Sequence, residues 1–353
     1  MGGILHPLEG IGKENPHNAP PRRNIPGTRT HLTQWRRVVR QTGPAGACSS
    51  VGRAPRLHRG CRRFEPGRAH VHPTLADVVR ALEGFYPPST AQSWDQVGLV
   101  SGDLDQPVTR VHFAVDPTLA VIDEARSLGA DLLVTHHPLL LRGIHSVATS
   151  TAKGASVTAL VVHDIALWVA HTNADVAEPG VNDALAAACG LTDVAPLATV
   201  EGQPLGRVGE LPAPISLAEF TTALYAALPA SAGGTRVAGP PDASVQRVAV
   251  MGGAGDDMFD HVRAAGADVF VTADLRHHPV LEAREEARGG TPYLVDAGHW
   301  ATESLWLAGA AQRLETALAE AHPAASRVET HISTLRTDPW TFVVGAEPPG
   351  GTS

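Results

Sequence analysis

Apolar residues first recur at helical spacing at Leu75, Val78, Val79 and Leu82. Thr74 and Asp77 head that run at the spacing of a capping box, and Pro87 and Pro88 stop it. Strand and helix patterns then alternate. The pattern predicts strands at 110–115, 131–135 and 166–170, and helices at 117–128, 152–162 and 181–189, the last closed by Gly190. Ser216 and Glu219 form a second capping box for a helix to about Leu228. Strands follow at 247–251, 269–272 and 293–296, with helices at 258–265 and 302–319. This β-α alternation predicts an α/β fold with mainly parallel sheets.

One segment is echoed. Gly129-Ala130-Asp131-Leu132-Leu133-Val134-Thr135 is matched by Gly266-Ala267-Asp268-Val269-Phe270-Val271-Thr272, and a His-rich segment follows each copy. The echo predicts two related α/β lobes, 71–190 with 291–342 and 191–290, with a metal site in the cleft between them. General βα patterning is the competing explanation.

Composition divides the chain again. Residues 1–70 carry a net charge of +10 and the remaining 283 a net of −18. The first piece is rich in Pro, Gly and Arg without apolar periodicity, and so is expected to be disordered. The acidic remainder argues against nucleic-acid binding, which requires Lys and Arg to neutralise phosphate. No apolar run approaches the ~18 residues of a membrane span. Cys48, Cys61 and Cys189 fit neither a zinc ribbon nor a disulfide framework, so a reducing cytoplasm is the simplest location. The residues after Val344 read as a loose Gly/Pro-rich tail, within a 343–353 terminus.

The chemistry gathers at predicted strand ends, where open α/β sheets bind ligands. His136 and His137 follow the run Leu132-Leu133-Val134. Neighbouring side chains in extended backbone point to opposite sides, so this pair suits two ions better than one. A packed or solvated histidine is the bland alternative. Asp175 lies four residues after His171, just past a strand, where it can bridge two ions or cap a helix. His171 is a candidate ligand or orienting donor, or makes a structural hydrogen bond. His299 and Glu303 share a helix face if the helix begins near His299; Glu303 would equally suit a first turn. Gly252-Gly253-Ala254-Gly255 reads as an anion-binding loop or a tight turn. Three histidines and two carboxylates are the ligand set of hydrolytic two-metal sites. Zn, Fe or Mn fits such donors.

Ser93-Trp94-Asp95-Gln96-Val97-Gly98-Leu99, Thr135-His136-His137-Pro138, His171-Thr172-Asn173-Ala174-Asp175, Thr272 to Ala283 and Gly298-His299-Trp300-Ala301-Thr302-Glu303 occur in this order. Together they resemble the dinuclear-metal-centre hexameric proteins known as GTP cyclohydrolase I type 2 homologues. The resemblance covers roughly residues 74–342 and departs from the family at Ala273, where Gly is usual. It implies that His136, His137, Asp175, His299 and Glu303 hold two metal ions. It implies a ring-shaped homohexamer with sites facing an internal cavity, and a metal-dependent hydrolase that opens the purine ring of a nucleotide, with Glu303 catalytic. His278 matches a family position near the second half's strand end, where it is a candidate to orient a ligand or touch substrate. A phosphoester or another amidine-like small molecule suits the ligands equally. A non-catalytic metal-binding ring, acting as adaptor or regulator, needs the same five residues.

Residues 1–70 have a second explanation. Cys48-Ser49-Ser50-Val51-Gly52-Arg53-Ala54-Pro55 and Arg63-Phe64-Glu65-Pro66 resemble the conceptual translation of a transfer-RNA gene. An artefactual upstream start is therefore expected, against the competing reading of a basic, nucleic-acid-binding arm.

Overall fold

The computed structural model describes residues 72–345 of the 353. The expectations for residues 1–70, and for all but the first residues of the 343–353 tail, lie outside the described residues. The Thr74–Asp77 capping box opens α1 (Leu75–Phe85). There follow β1 (Gly98–Ser101), β2 (Arg110–Ala114), α2 (Leu119–Leu128), β3 (Leu132–Thr135), α3 (Ala152–Val162), β4 (Ala166–Val169), α4 (Thr172–Val176) and α5 (Val181–Ala188). Next come β5 (Thr192–Val200), β6 (Gln203–Ser216), α6 (Leu217–Ala227), β7 (Arg236–Ala238), β8 (Ser244–Ala254), α7 (Phe259–Ala264), β9 (Val269–Ala273), α8 (His277–Glu286) and β10 (Tyr293–Asp296). The described chain closes with α9 (His299–Ser304), α10 (Trp306–Ala321) and β11 (Glu329–Ile332).

The strands form two sheets, in the orders β1-β4-β3-β2-β11 and β5-β6-β8-β9-β10-β7. In the first, β4, β3, β2 and β11 run parallel and only β1 is antiparallel. Every residue of β3 and β4 is buried, as expected of parallel strands covered on both faces. Leu132, Val134, Trp168, Val111 and Phe113 meet α1 and α10 through Leu75, Val78, Leu82 and Leu314. On the opposite face Leu133, Leu167 and Val169 meet α2 and α3 through Val121, Ile122 and Leu160. This is the period-2 alternation of a strand, here apolar on both sides.

The second sheet is mixed, not mainly parallel. Only β8-β9-β10 run parallel, and the β5-β6 hairpin and the edge strand β7 are antiparallel additions. Its faces are covered by α5 with α6 and by α7 with α8. The echoed strands, β3 and β9, fall in different sheets. β10, placed by sequence with the first lobe, hydrogen-bonds between β9 and β7 of the second sheet. The chain therefore returns to the first sheet later than residue 291. Both sheets belong to one compact unit, and Trp300 packs against the cores of both. Among the described residues, no helix is long and apolar enough to cross a membrane.

Candidate metal centre

Segments at three strand C-terminal ends bring the polar cluster together. β3 runs directly into His136 and His137, whose amides continue the ladder to the carbonyls of Ala114 (3.3 Å) and Val115 (2.8 Å). β4 leads into α4, which carries Asp175, and Asn182 Nδ2 donates to the Asp175 carbonyl at 2.8 Å. From the second sheet, β10 leads to Gly298, whose φ of 86° turns the chain. Glycine takes that left-handed conformation without steric penalty. α9 then starts on His299, so Glu303, four residues on, lies on the same face.

All five side chains converge. Glu303 Oε1 lies 3.3 Å from His136 Nε2 and 2.9 Å from His299 Nε2, and its Oε2 lies 3.0 Å from His137 Nε2. His299 Nε2 and His137 Nε2 are 3.2 Å apart, and Asp175 Oδ1 is 3.8 Å from His136 Nε2. Ligand atoms of His136, His137 and His171 lie within 4.8 Å of one another, as do those of His137, His299 and Glu303. Either group could hold a metal ion. His137 belongs to both, so the geometry does not divide the ligands between two ions.

The orientation of each ring explains why a cation fits. His136 Nδ1 faces the Ala170 carbonyl at 2.8 Å, an acceptor only, so Nδ1 carries a hydrogen and Nε2 is the nitrogen turned to the cluster. By the same logic Asp116 Oδ1 (2.7 Å) takes the Nδ1–H of His137, and Asp274 Oδ2 (2.9 Å) that of His299. Deprotonated at Nε2, the three imidazoles would aim lone pairs at two carboxylates, so the cluster calls for a cation or for protons. His136 Nε2, Asp175 Oδ1 and Glu303 Oε2 are buried without a well-aligned hydrogen bond, and their close polar contacts are with one another and with His137. Such buried atoms are costly unless a cation or proton neutralises them. A carboxylate behind a ligating imidazole, as at Asp116 and Asp274, is the usual support of a metal site.

The electrostatics agree. Burial disfavours charge on His137, but the Glu303 carboxylate and the Asp116 hydrogen bond outweigh it and push its pKa up to about 10. His299 rises to about 11 against the same burial penalty, through Asp274 and Glu303. Glu303 is fully buried, yet the surrounding histidines hold its carboxyl well below the usual range. Asp175 moves the other way: burial raises it, and the neighbouring Glu303 charge adds to this. Without a metal, the cluster therefore recruits protons as its counter-charge.

The remaining candidates take distinct places around this cluster. The glycine run lies at the end of β8 and is no anion-binding loop. The amide of Gly252 donates to Asn182 Oδ1 (2.8 Å), and that of Gly253 to Thr302 Oγ1 (3.1 Å). β8 extends through Ala254 with a register irregularity against β9, which aims Gly253 under the cluster. A Cβ on Gly253 would lie 2.4 Å from Glu303 Oε1. His171 is held through Nδ1 by Asp95 Oδ1 at 3.0 Å, and Asp95 also accepts from the Thr172 amide (3.1 Å) and hydroxyl (2.7 Å). His278 is exposed in the first turn of α8, and its ring contact is with His277, 5.2 Å away. Asp116 was missed, although its place just beyond the C-terminal end of β2 marks it as a site position.

The family model described as Duf34/NIF3 (NGG1p interacting factor 3) matches residues 73–339. A Streptomyces coelicolor protein named GTP cyclohydrolase 1 type 2 homolog is 52% identical over 281 residues, covering 78% of this chain and 96% of that protein. A Mycobacterium bovis protein of the same name is 36% identical, with 75% and 96% covered. The crystal structure of a Bacillus cereus protein related to NIF3 matches with a TM-score of 0.69 at 26% identity, covering 77% of this chain and 99% of that one.

Proposed function

This chain belongs to the Duf34/NIF3 family, and we propose that it is a metal-dependent hydrolase of a nucleotide, with two divalent ions held by His136, His137, Asp175, His299 and Glu303. The observation that carries this reading is the buried convergence of ligand atoms from His136, Asp175 and Glu303, which face one another and lack well-aligned hydrogen bonds. Glu303 presents one oxygen toward His136 and His299 and the other toward His137, so both oxygens face imidazole nitrogens that would hold metal with it. Zn, Fe or Mn suits the mixed imidazole and carboxylate donors.

Two such ions, when bound, would supply Lewis acidity and lower the pKa of a water toward neutrality. The chain's own residues supply the rest. Asp116 and Asp274 hold the rings of His137 and His299 in the tautomer that leaves Nε2 free to ligate. Asp95 fixes His171 beside the histidine pair, where the imidazole can take or return a proton. The names of the relatives favour a purine nucleotide as substrate, opened at the ring carbon between two nitrogens. The family resemblance also supports a ring-shaped hexamer, to be checked by native mass spectrometry.

The test is metal analysis of the purified protein followed by a nucleotide-hydrolysis screen, with Glu303→Gln as control. Metal-dependent turnover lost in Glu303→Gln is the expected result. Activity that survives complete metal removal refutes the mechanism. Metal binding without turnover of any nucleotide leaves a non-catalytic metal protein.

A further inference from the structure

Two tryptophans touch the histidine cluster, and they differ in kind. Trp306 contacts His136 at a centroid distance of 5.8 Å, is 3% exposed, and donates its Nε1–H to Tyr86 Oη at 3.0 Å. It is part of the core. Trp94 meets His171 edge-to-face at 5.9 Å and 83°, and remains 54% exposed.

The exposure of Trp94 does not come from a loose loop. Its Nε1–H is held by Gln92 Oε1 at 2.7 Å. The Gln92 amide donates to Thr172 Oγ1 at 3.0 Å, at the start of the helix that carries Asp175. The Ser93 amide and hydroxyl donate to Glu201 at 2.8 and 2.9 Å, from the β5-β6 turn. Asp95, the next residue, is bonded to His171 and Thr172. The segment is therefore clamped on both sides of the indole. A scattered exposed apolar residue needs no explanation. An indole fixed by hydrogen bonds beside a metal-ligand cluster is different: it offers a flat apolar surface already ordered, so a ring that stacks on it incurs little further entropy loss.

We infer that Trp94 is the stacking platform for the substrate's flat heteroaromatic ring, setting specificity for a nucleobase over a bare phosphoester. This rests on the nucleotide-hydrolase reading and adds to it the residue that reads the base. Stacking of a base on an aromatic side chain typically amounts to 10- to 100-fold in affinity.

The test is titration calorimetry on the metal-loaded full chain, with GTP and inorganic tripolyphosphate as probes. In Trp94→Ala, GTP affinity should fall about 10- to 100-fold while tripolyphosphate affinity is unchanged. Trp94→Phe should recover most of the loss, and metal content should match wild type in both variants. Unchanged GTP affinity in Trp94→Ala overturns the assignment and leaves the hydrolase reading standing. A parallel loss for both probes, or loss of metal, overturns it in favour of a structural role. If the wild-type protein binds no nucleotide, the functional reading falls first and the platform with it.

Discussion

Gly253→Ala tests whether the second sheet shapes the metal cluster. The new methyl would sit 2.4 Å from Glu303 Oε1 and 3.3 Å from His299 Nε2, where ordinary contact begins at 3.4 Å. The carboxylate must therefore retreat by about 1 Å, and it cannot swing free, because it is buried among three histidines. Separately, φ at this position is +69°. A side chain in that left-handed region costs about 1–2 kcal/mol. For a chain of this size that amounts to a fall in Tm of about 2–4 °C. Gly266 provides the control: its φ is +65°, and a Cβ there meets nothing within 4 Å. Gly266→Ala should thus lower Tm of the metal-free protein by a similar few degrees and leave metal affinity intact. Gly253→Ala should in addition weaken metal binding by at least the roughly 10- to 100-fold seen when a ligand's support is disturbed. Competition against a chelator of known affinity measures this, with thermal melts of metal-free protein alongside. Equal metal affinities for the two alanine variants would refute the argument.

Other outcomes follow from the same geometry. At pH 7 metal loading should release protons, because His137 and His299 titrate near 10 and 11 in the metal-free cluster. Calorimetry in buffers of different ionisation enthalpy counts them, and the count should fall as pH rises through 10; no release at pH 7 would contradict the assignment. Asp116→Asn and Asp274→Asn should each weaken metal binding about 10- to 100-fold, read by the same chelator competition, with the fold retained by circular dichroism. Asp95 is depressed to about 2 despite burial, through its bonds to His171 and Thr172. Its stabilisation is therefore fully present above pH ~4 and lost as pH falls through about 2, amounting to about 2 kcal/mol. Urea unfolding of wild type and Asp95→Asn should differ by about that much at pH 7 and converge toward pH 2; a gap that persists at low pH would exclude the charge as its source.

Local pattern carried much of the architecture. Capping at Thr74 and Ser216, strands at 110–114, 132–135 and 269–273, and the helices between them were legible because each element buries its own face at its own period. The β5-β6 hairpin was not: Pro196, Pro204, Pro212 and Pro214 interrupt it, and most of β5 is exposed, so no alternation marks it. β11 is four residues long and lies at an edge, and α8 buries only Ala283. The five clustered residues were visible as donor types at strand ends, and the family resemblance joined them.

The sequence by itself therefore determined the elements that bury a periodic apolar face, the residue types of the cluster and the membership they signal. Tertiary structure decided which atoms meet. Asp116 reaches His137 across 21 residues, Asp274 reaches His299 across 25, Asp95 reaches His171 across 76, and Gly253 makes room for Glu303 from a neighbouring strand. Periodicity reports only which face of an element is buried. The partner on that face is set by how strands are ordered within the two sheets, and that order arises from contacts between segments far apart in the chain.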